Sequence, residues 1–192
     1  YSDGQLYAYK QSEDGESGSW LTLPMDTTSL INCEKIAKSM GATMFIRHEW
    51  LEEVNGKPAI AYYHTDDQDL YFVRATDATG TTWGTPVLVA STGDVGKYLS
   101  LSVINGRPAI SYYDETNQDL MDVRANDAGG VSWGTPMTVF SSGDVGLHTS
   151  LKTVNGRPAI MFSDFTNKRL IYIRAANING TTWGLPVVAA TH

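Results

Sequence analysis

The sequence predicts an all-β protein built from tandem four-stranded antiparallel units. The segment Val54–Ile60 recurs with conservative changes at Ile104–Ile110 and Val154–Ile160, so the chain repeats every 50 residues. Tyr, Val, Ile, Trp and Thr dominate the runs between polar turns, as is typical of strands. These runs lack the 3.6-residue period of a helical solenoid. Repetition, composition and turn spacing therefore agree on a β repeat.

Each copy contains four strand-like runs, which the middle copy shows in order. The first is Leu101–Ile104, and Asn105-Gly106 ends it because this dipeptide strongly favours a hairpin turn. The second run is Ala109–Tyr113, and a polar turn separates it from the third, Leu120–Ala125. The fourth is Ser132–Phe140, which would complete one antiparallel unit.

A proline follows a tryptophan by three positions in the fourth run of every copy. The pairs are Trp83 and Pro86, Trp133 and Pro136, and Trp183 and Pro186. Proline has no amide hydrogen to donate to a neighbouring strand, so this run should be the outer edge of its sheet. Tandem four-stranded units with short edges describe a β-propeller.

The copies predict one domain over residues 1–192, divided unevenly. Full blades are predicted at 43–92, 93–142 and 143–192, a half blade at 3–26 and an insertion at 27–42, for which a short helix is one interpretation. Only the two outer strands of the N-terminal blade are recognisable. Open sheet edges pair readily with other strands, so we expect a missing propeller segment or self-association to complete the ring.

Charge and composition exclude several classes of partner. The formal net charge is −7 and the sequence pI is about 4.9, so the acidic surface should repel nucleic acid and anionic membranes. No apolar run is long enough to span a membrane. Cys33 is the only cysteine, which excludes a disulfide within the chain.

The turn before each tryptophan resembles the Asp-box, or BNR, repeat of sialidase-like propellers, written S-x-D-x-G-x-x-W. The three turns are Asp77–Trp83, Asp127–Trp133 and Asn177–Trp183. They depart from the pattern because the first residue precedes the tryptophan by six positions rather than five, and the leading serine is missing. The resemblance implies a propeller in which this box is a folding device far from any active site.

The same resemblance raises sialidase activity, which needs an arginine cluster, a Tyr–Glu pair and a further acid. Arg74, Arg124 and Arg174 recur at one third-strand position. Residues at equivalent positions of a propeller radiate around the ring, so these arginines should be structural ties, between blades or to a turn aspartate, and not a carboxylate clamp. We predict no catalytic residues.

Candidate ligand-binding residues lie in one column of the repeat, just before the first strand, where the chain would enter the central funnel. Polar and aromatic groups that converge on a funnel can hold sugars or peptides. The competing interpretation is that the Gly-Asp pairs there simply make turns. The predicted site comprises Arg47, His48, Asp94, Lys97, Tyr98, Asp144 and His148.

Metal and cofactor signals are weak. The acidic turn His64–Asp69 offers oxygen ligands for calcium, but its third copy, Asp164–Arg169, has lost most of the acids, which favours a solvated turn. We therefore predict no metal and no cofactor. The leading functional hypothesis is an extracellular or cell-surface module that binds a glycan or protein without catalysis. The alternatives are a self-assembling structural repeat and a remnant of a sialidase-like glycoside hydrolase.

Overall fold

The computed structural model describes residues 6–11, 18–23 and 46–191, with side chains from His48 to Thr191. The predicted insertion at 27–42, including Cys33, lies outside the described residues. Two short strands precede it, β1 (Leu6–Gln11) and β2 (Gly18–Leu23), which pair with each other in antiparallel fashion.

The rest of the described chain forms three four-stranded antiparallel sheets, which confirms the predicted fold class. Blade 1 comprises β3 (Ile46–Val54), β4 (Lys57–His64), β5 (Asp69–Arg74) and β6 (Val87–Ala90). Blade 2 comprises β7 (Val95–Ile104), β8 (Arg107–Asp114), β9 (Asp119–Arg124) and β10 (Met137–Phe140). Blade 3 comprises β11 (Val145–Val154), β12 (Arg157–Asp164), β13 (Arg169–Arg174) and β14 (Val187–Thr191). Within these described residues, no helix is long and apolar enough to cross a membrane.

Two predicted strand boundaries are wrong. The first strand of blade 2 begins at Val95 and not at Leu101, because shifts of register carry the pairing through the preceding segment. The fourth begins at Met137 and not at Ser132. Trp133 instead makes one isolated bridge to Ala125, since the turn before it holds the chain out of the sheet. The short fourth strand pairs only with the third, as the prolines predict.

The Asn-Gly pairs form the tight hairpins that the sequence predicts. Asn105 has a φ of 46° and Gly106 a φ of 75°. Positive φ at both central residues is the signature of a type I′ turn, whose twist matches that of the flanking strands. The same turn joins the first two strands of the other blades.

The hydrophobic core lies between blades. One cluster joins blades 1 and 2 and includes Leu70, Phe72, Leu101 and Tyr112, each at most 1% exposed. The second cluster joins blades 2 and 3 around Leu120 and other fully buried aliphatic residues. Each sheet therefore gains its stability from its neighbours, and the first strands of the three blades lie side by side.

Candidate functional site

Three aromatic residues of the predicted column contact one another in a row. The ring centroids of His48 and Tyr98 are 4.4 Å apart, and those of Tyr98 and His148 are 4.5 Å apart. All three have left-handed backbones, with φ of 55°, 50° and 53°. They lie inside the first strands at breaks in register, and not before the strands as predicted. Left-handed bulge residues redirect a side chain out of the regular alternation, which explains how the rings of successive blades meet.

This column borders an open cavity of about 850 Å³, called here the aromatic cavity. Its lining residues are His48, Tyr63, Thr65, Lys97, Tyr98, Tyr113, Glu115, Gln118, Asp144 and Leu147. Tyr63 and Tyr113 are equivalent residues near the ends of the second strands of blades 1 and 2. Aromatic faces with a few polar groups are typical of ligand pockets.

Lys97 organises the charged side of the aromatic cavity. Its ammonium group lies 2.8 Å from Asp94 Oδ2, also contacts the Glu115 carboxylate, and stands 5.2 Å from the centre of the Tyr63 ring. Asp94 Oδ1 is buried without a hydrogen-bond partner. One cation thus holds two carboxylates in place while one carboxylate oxygen stays free to accept.

Asp144 lies across the cavity and fixes Tyr113. The Tyr113 hydroxyl donates to Asp144 Oδ1 at 2.8 Å. Burial, followed by this hydrogen bond and the nearby carboxylate charge, raises the pKa of Tyr113 above its usual range. Tyr113 therefore stays a neutral phenol at physiological pH.

The Gly-Asp segments also make turns, as the competing interpretation holds. The amide N–H of Asp94 donates to Thr116 Oγ1 at 2.7 Å, and that of Asp144 donates to Thr166 Oγ1 at 2.8 Å. The backbone of each aspartate thus anchors a loop while its carboxylate faces a tyrosine or lysine. The two interpretations of these residues are compatible.

Four of the seven predicted residues line the aromatic cavity: His48, Lys97, Tyr98 and Asp144. A fifth, Asp94, borders it through its ion pair with Lys97. His148 contacts the cavity through Tyr98. Arg47 lies in β3 opposite Tyr63, but its side chain is outside the described residues. Sequence reasoning missed Tyr63, Tyr113 and Glu115. The recurrence of the two tyrosines at the 50-residue period was the signal that could have found them.

The recurrent arginines tie the first hairpin of their own blade, and among the hydrogen bonds described only Arg124 also makes the predicted tie between blades. Each donates to the last carbonyl of the first strand of its own blade: Arg74 to Val54 at 2.8 Å, Arg124 to Ile104 at 2.8 Å and Arg174 to Val154 at 3.1 Å. Arg124 also bonds the Asn179 carbonyl at 3.1 Å and its side-chain oxygen at 2.7 Å, which links blade 2 to blade 3. None of the three lines the aromatic cavity.

The turns before the tryptophans are held by their first residue. Asp77 accepts backbone hydrogen bonds from Thr79, Thr81 and Thr82 at 2.8–3.1 Å. The hydrogen bonds from Thr82, Thr79 and Thr81 keep the pKa of Asp77 well below its usual range. Each such turn therefore closes around the side-chain carboxylate or amide group of its first residue, as expected of an element that stabilises the fold.

The acidic turns show no metal-binding geometry in the part of the chain described. His64 Nδ1 lies 3.2 Å from Asp67 Oδ2, and Asp164 is engaged by Asn167 and by Arg169 at 2.6 Å. Among the described residues, no three His, Cys, Asp or Glu side chains are placed to hold one metal ion.

Solved structures with the same fold are β-propeller glycosidases. The exo-β-1,3-galactanase 1,3Gal43A of Clostridium thermocellum matches 76% of this chain and 36% of its own, with a TM-score of 0.57 and 11% identity. The Phanerochaete chrysosporium exo-β-1,3-galactanase matches 96% and 47%, with a TM-score of 0.55 and 10% identity. The NanB sialidase of Streptococcus pneumoniae matches 90% and 26%, with a TM-score of 0.52 and 13% identity.

These likenesses establish the fold, shared by galactanases and a sialidase. The chain spans between about a quarter and a half of the length of the matched structures. No protein-family model and no curated protein sequence matches the chain. The similarity to sialidase-like propellers therefore holds for the fold, and the Asp-box assignment stays a prediction from the turn sequences.

Proposed function

We propose that this protein is an extracellular or cell-surface propeller module that binds a glycan in the aromatic cavity without catalysing a reaction. The observation that carries the proposal is the row of three contacting rings, His48, Tyr98 and His148, beside fixed carboxylates. The acidic net charge also favours a neutral or basic ligand over a polyanion.

A sugar ring matches this mixture of groups. Its C–H faces pack on aromatic rings, and its hydroxyls both donate and accept hydrogen bonds. Lys97, Gln118 and Asp144 provide polar groups at the wall. A cavity of about 850 Å³ has room for an oligosaccharide segment.

Binding without chemistry fits the cavity better than the glycosidase alternative. Tyr113 is held as a neutral phenol, because burial and its hydrogen bond to Asp144 raise its pKa. Lys97 pairs with both Asp94 and Glu115, so an ion pair already engages each of these carboxylates. No arginine is among the described side chains that line the cavity.

A glycan array tests this proposal. We expect the 192-residue chain to bind a subset of glycans, and Tyr98→Ala to weaken that binding at least tenfold because it removes the middle ring. Tyr71→Ala is the matched control, since Tyr71 stacks on Tyr62 and is not among the residues lining the cavity. Equal loss in both variants, binding of a protein ligand only, or turnover of a fluorogenic sialoside would each refute the proposal.

Self-assembly is a second candidate, favoured by the outer face of blade 3. Val154 is 39% exposed, whereas its equivalents Val54 and Ile104 are 0% and 2% exposed under the next blade. On the opposite side of the unit, Leu51 is 50% exposed, but the equivalent Leu101 is fully buried. The two faces have the apolar character of the internal blade contacts, so the occupant we propose is a second copy packed head to tail.

Light scattering at several concentrations tests this second candidate. We expect the chain to form oligomers and Val154→Glu to shift it towards monomer. Leu185→Glu, at a residue that is 89% exposed outside the strands, should leave the mass unchanged. A monomer at every concentration would eliminate self-assembly and leave the glycan proposal standing.

A further inference from the structure

The repeat builds the same surface notch twice, once between each pair of neighbouring blades. The 1–2 notch has a volume of about 310 Å³ and the 2–3 notch about 520 Å³. Their linings match position by position at the 50-residue period, for example Lys57 with Arg107 and Arg74 with Arg124. The two notches are therefore equivalent sites whose differences come from side chains.

The 2–3 notch is polar where the 1–2 notch is apolar. The paired positions are Phe72 and Asp122, Gly129 and Asn179, and Val131 and Thr181. The three changes lie around one notch and come from two different blades. None of the residues lining the 2–3 notch lines the aromatic cavity.

Phe72 narrows the 1–2 notch. Its ring centroid lies 5.2 Å from that of Trp133, and its side chain is 1% exposed. A Cβ atom added to Gly130 would meet the Phe72 ring at 2.4 Å, so the contact has no spare room. The shorter Asp122 at the same position accounts for the larger 2–3 notch.

Asp122 is buried with an unused hydrogen-bonding atom. It is 5% exposed, and its Oδ1 has no hydrogen-bond partner. Nearby in the lining, Arg124 Nε also lacks a partner, although both terminal nitrogens of Arg124 are bonded. Buried polar atoms without partners cost about 1–3 kcal/mol each, so an acceptor and a donor in one notch indicate a ligand that satisfies both.

The two atoms select the chemistry of that ligand. Asp122 Oδ1 requires a donor and Arg124 Nε requires an acceptor, and a hydroxyl group is both. Arg107 and Arg124 disfavour a cation, and the Asp122 carboxylate, in its charged form, offsets one of these two positive charges against an anion. Asn105, Asn179 and Thr181 add further amide and hydroxyl groups at the rim.

We propose that the 2–3 notch is a second binding site, separate from the aromatic cavity, for a neutral polyhydroxylated ligand such as the edge of a sugar ring. Asp122 accepts from one hydroxyl, and Arg124 donates to the same or the adjacent one. The 1–2 notch has Phe72 in place of Asp122 and so lacks this acceptor, and it does not bind this ligand.

Saturation-transfer NMR on the 192-residue chain carrying Tyr98→Ala tests this site apart from the aromatic cavity. The probes are D-glucose, D-galactose, D-mannose, D-xylose and myo-inositol, with D-glucuronate and D-glucosamine as charged counterparts. We expect at least one neutral probe to bind and to outcompete its charged counterparts. Adding Asp122→Phe, the residue of the 1–2 notch, should weaken that binding at least tenfold.

Asp122→Asn separates the loss of the negative charge from a change in side-chain size, because asparagine has the same size and retains a carbonyl acceptor. We expect this variant to keep part of the affinity for the neutral probe. Circular dichroism confirms that each variant is folded, and Asp122→Leu replaces Asp122→Phe if the latter is not. Unchanged binding in both apolar variants, preference for a charged probe, or no saturation transfer from any probe would overturn the proposal. Loss of the array signal in Tyr98→Ala alone bears only on the aromatic cavity.

Discussion

The interface between blades 1 and 2 and the interface between blades 2 and 3 share a backbone plan but differ at one central position. Phe72 closes the first against Trp133, whereas Asp122 leaves the second partly open. The apolar clusters show the same difference. Phe72 belongs to the cluster between blades 1 and 2, whereas the equivalent residue, Asp122, is not part of the cluster between blades 2 and 3. A repeat can therefore keep its fold with a charge at a core position, provided that neighbouring copies are well packed.

Transferring the carboxylate to the first interface should have the largest effect. Phe72→Asp removes a buried ring and leaves a charge against Trp133, so we expect a loss of roughly 4 kcal/mol in the free energy of unfolding. Urea denaturation measures it. Tyr172→Asp at the equivalent, half-buried position of blade 3 is the control and should cost about 1 kcal/mol. Similar losses in both variants would contradict the packing difference.

Removing the charge of Asp122 from the second interface should stabilise the protein in a pH-dependent way. Burial raises the pKa of Asp122 to about 7 from 3.8, even though Arg124 acts to lower it. A raised folded pKa means that the charged form is penalised, so the penalty is absent below about pH 4, grows between pH 4 and 7, and is complete above pH 7. Asp122→Asn should therefore gain roughly 2–4 kcal/mol more at pH 8.5 than at pH 4.

Urea midpoints of the native chain and Asp122→Asn at pH 4, 6 and 8.5 provide the measurement. An equal difference at all three values would show that Asp122 is not the group that titrates. Asp66→Asn, at an exposed residue of the acidic turn His64–Asp69, serves as the control for general charge effects.

The arginine ties should differ between blades by a smaller amount. Arg124 bonds its own hairpin and Asn179 of blade 3, whereas Arg174 bonds only its own hairpin among the hydrogen bonds described. We expect Arg124→Met to cost about 1 kcal/mol more than Arg174→Met. Measuring both at pH 5, where Asp122 is mostly uncharged, separates this tie from the carboxylate. Equal costs would mean that the link to blade 3 adds no stability.

The smallest expected difference concerns the two turns that face these interfaces. Asp127 accepts amide hydrogen bonds from Gly129, Val131 and Ser132, whereas blade 3 uses the neutral Asn177. Although burial opposes the charged form, those hydrogen bonds lower the pKa of Asp127, so its contribution is present above about pH 4 and lost in acid.

Asn177→Asp should therefore add about 0.5 kcal/mol at pH 7, and Asp127→Asn should remove a similar amount, since charge-assisted bonds are the stronger ones. Thermal unfolding at pH 7 and pH 3 checks both signs. A gain from Asn177→Asp that persisted at pH 3 would refute this explanation.

Much of the fold follows from local signals. The Asn-Gly pairs located the first hairpins because only a few residue types adopt two successive positive φ values. The starts of the first strands were missed because their left-handed positions carry no such signal in the sequence. Their left-handed bulges carry His48, Tyr98 and His148 instead of the glycine or asparagine that normally marks this conformation.

Some residues of the candidate sites could likewise be predicted from the sequence and others could not. Tyr98 and the two histidines were found because one repeat column places them on adjacent first strands. Asp122 was not found, because it lies within a strand-like run and the alternation of strand residues does not reveal which blade covers a given face. The inter-blade notch depends on three positions from two copies, and comparison of the copies with each other was the missing step.

The left-handed residue of each first strand has a consequence for how this scaffold can change. Its backbone conformation directs the side chain, and the neighbouring sheet hydrogen bonds do not depend on which ring it carries, since histidine and tyrosine occupy the position with φ values within a few degrees of each other. The three positions therefore accept either ring without a change in the backbone conformation. Exchanging rings among them offers a compact combinatorial library in which ligand preference is reprogrammed one blade at a time.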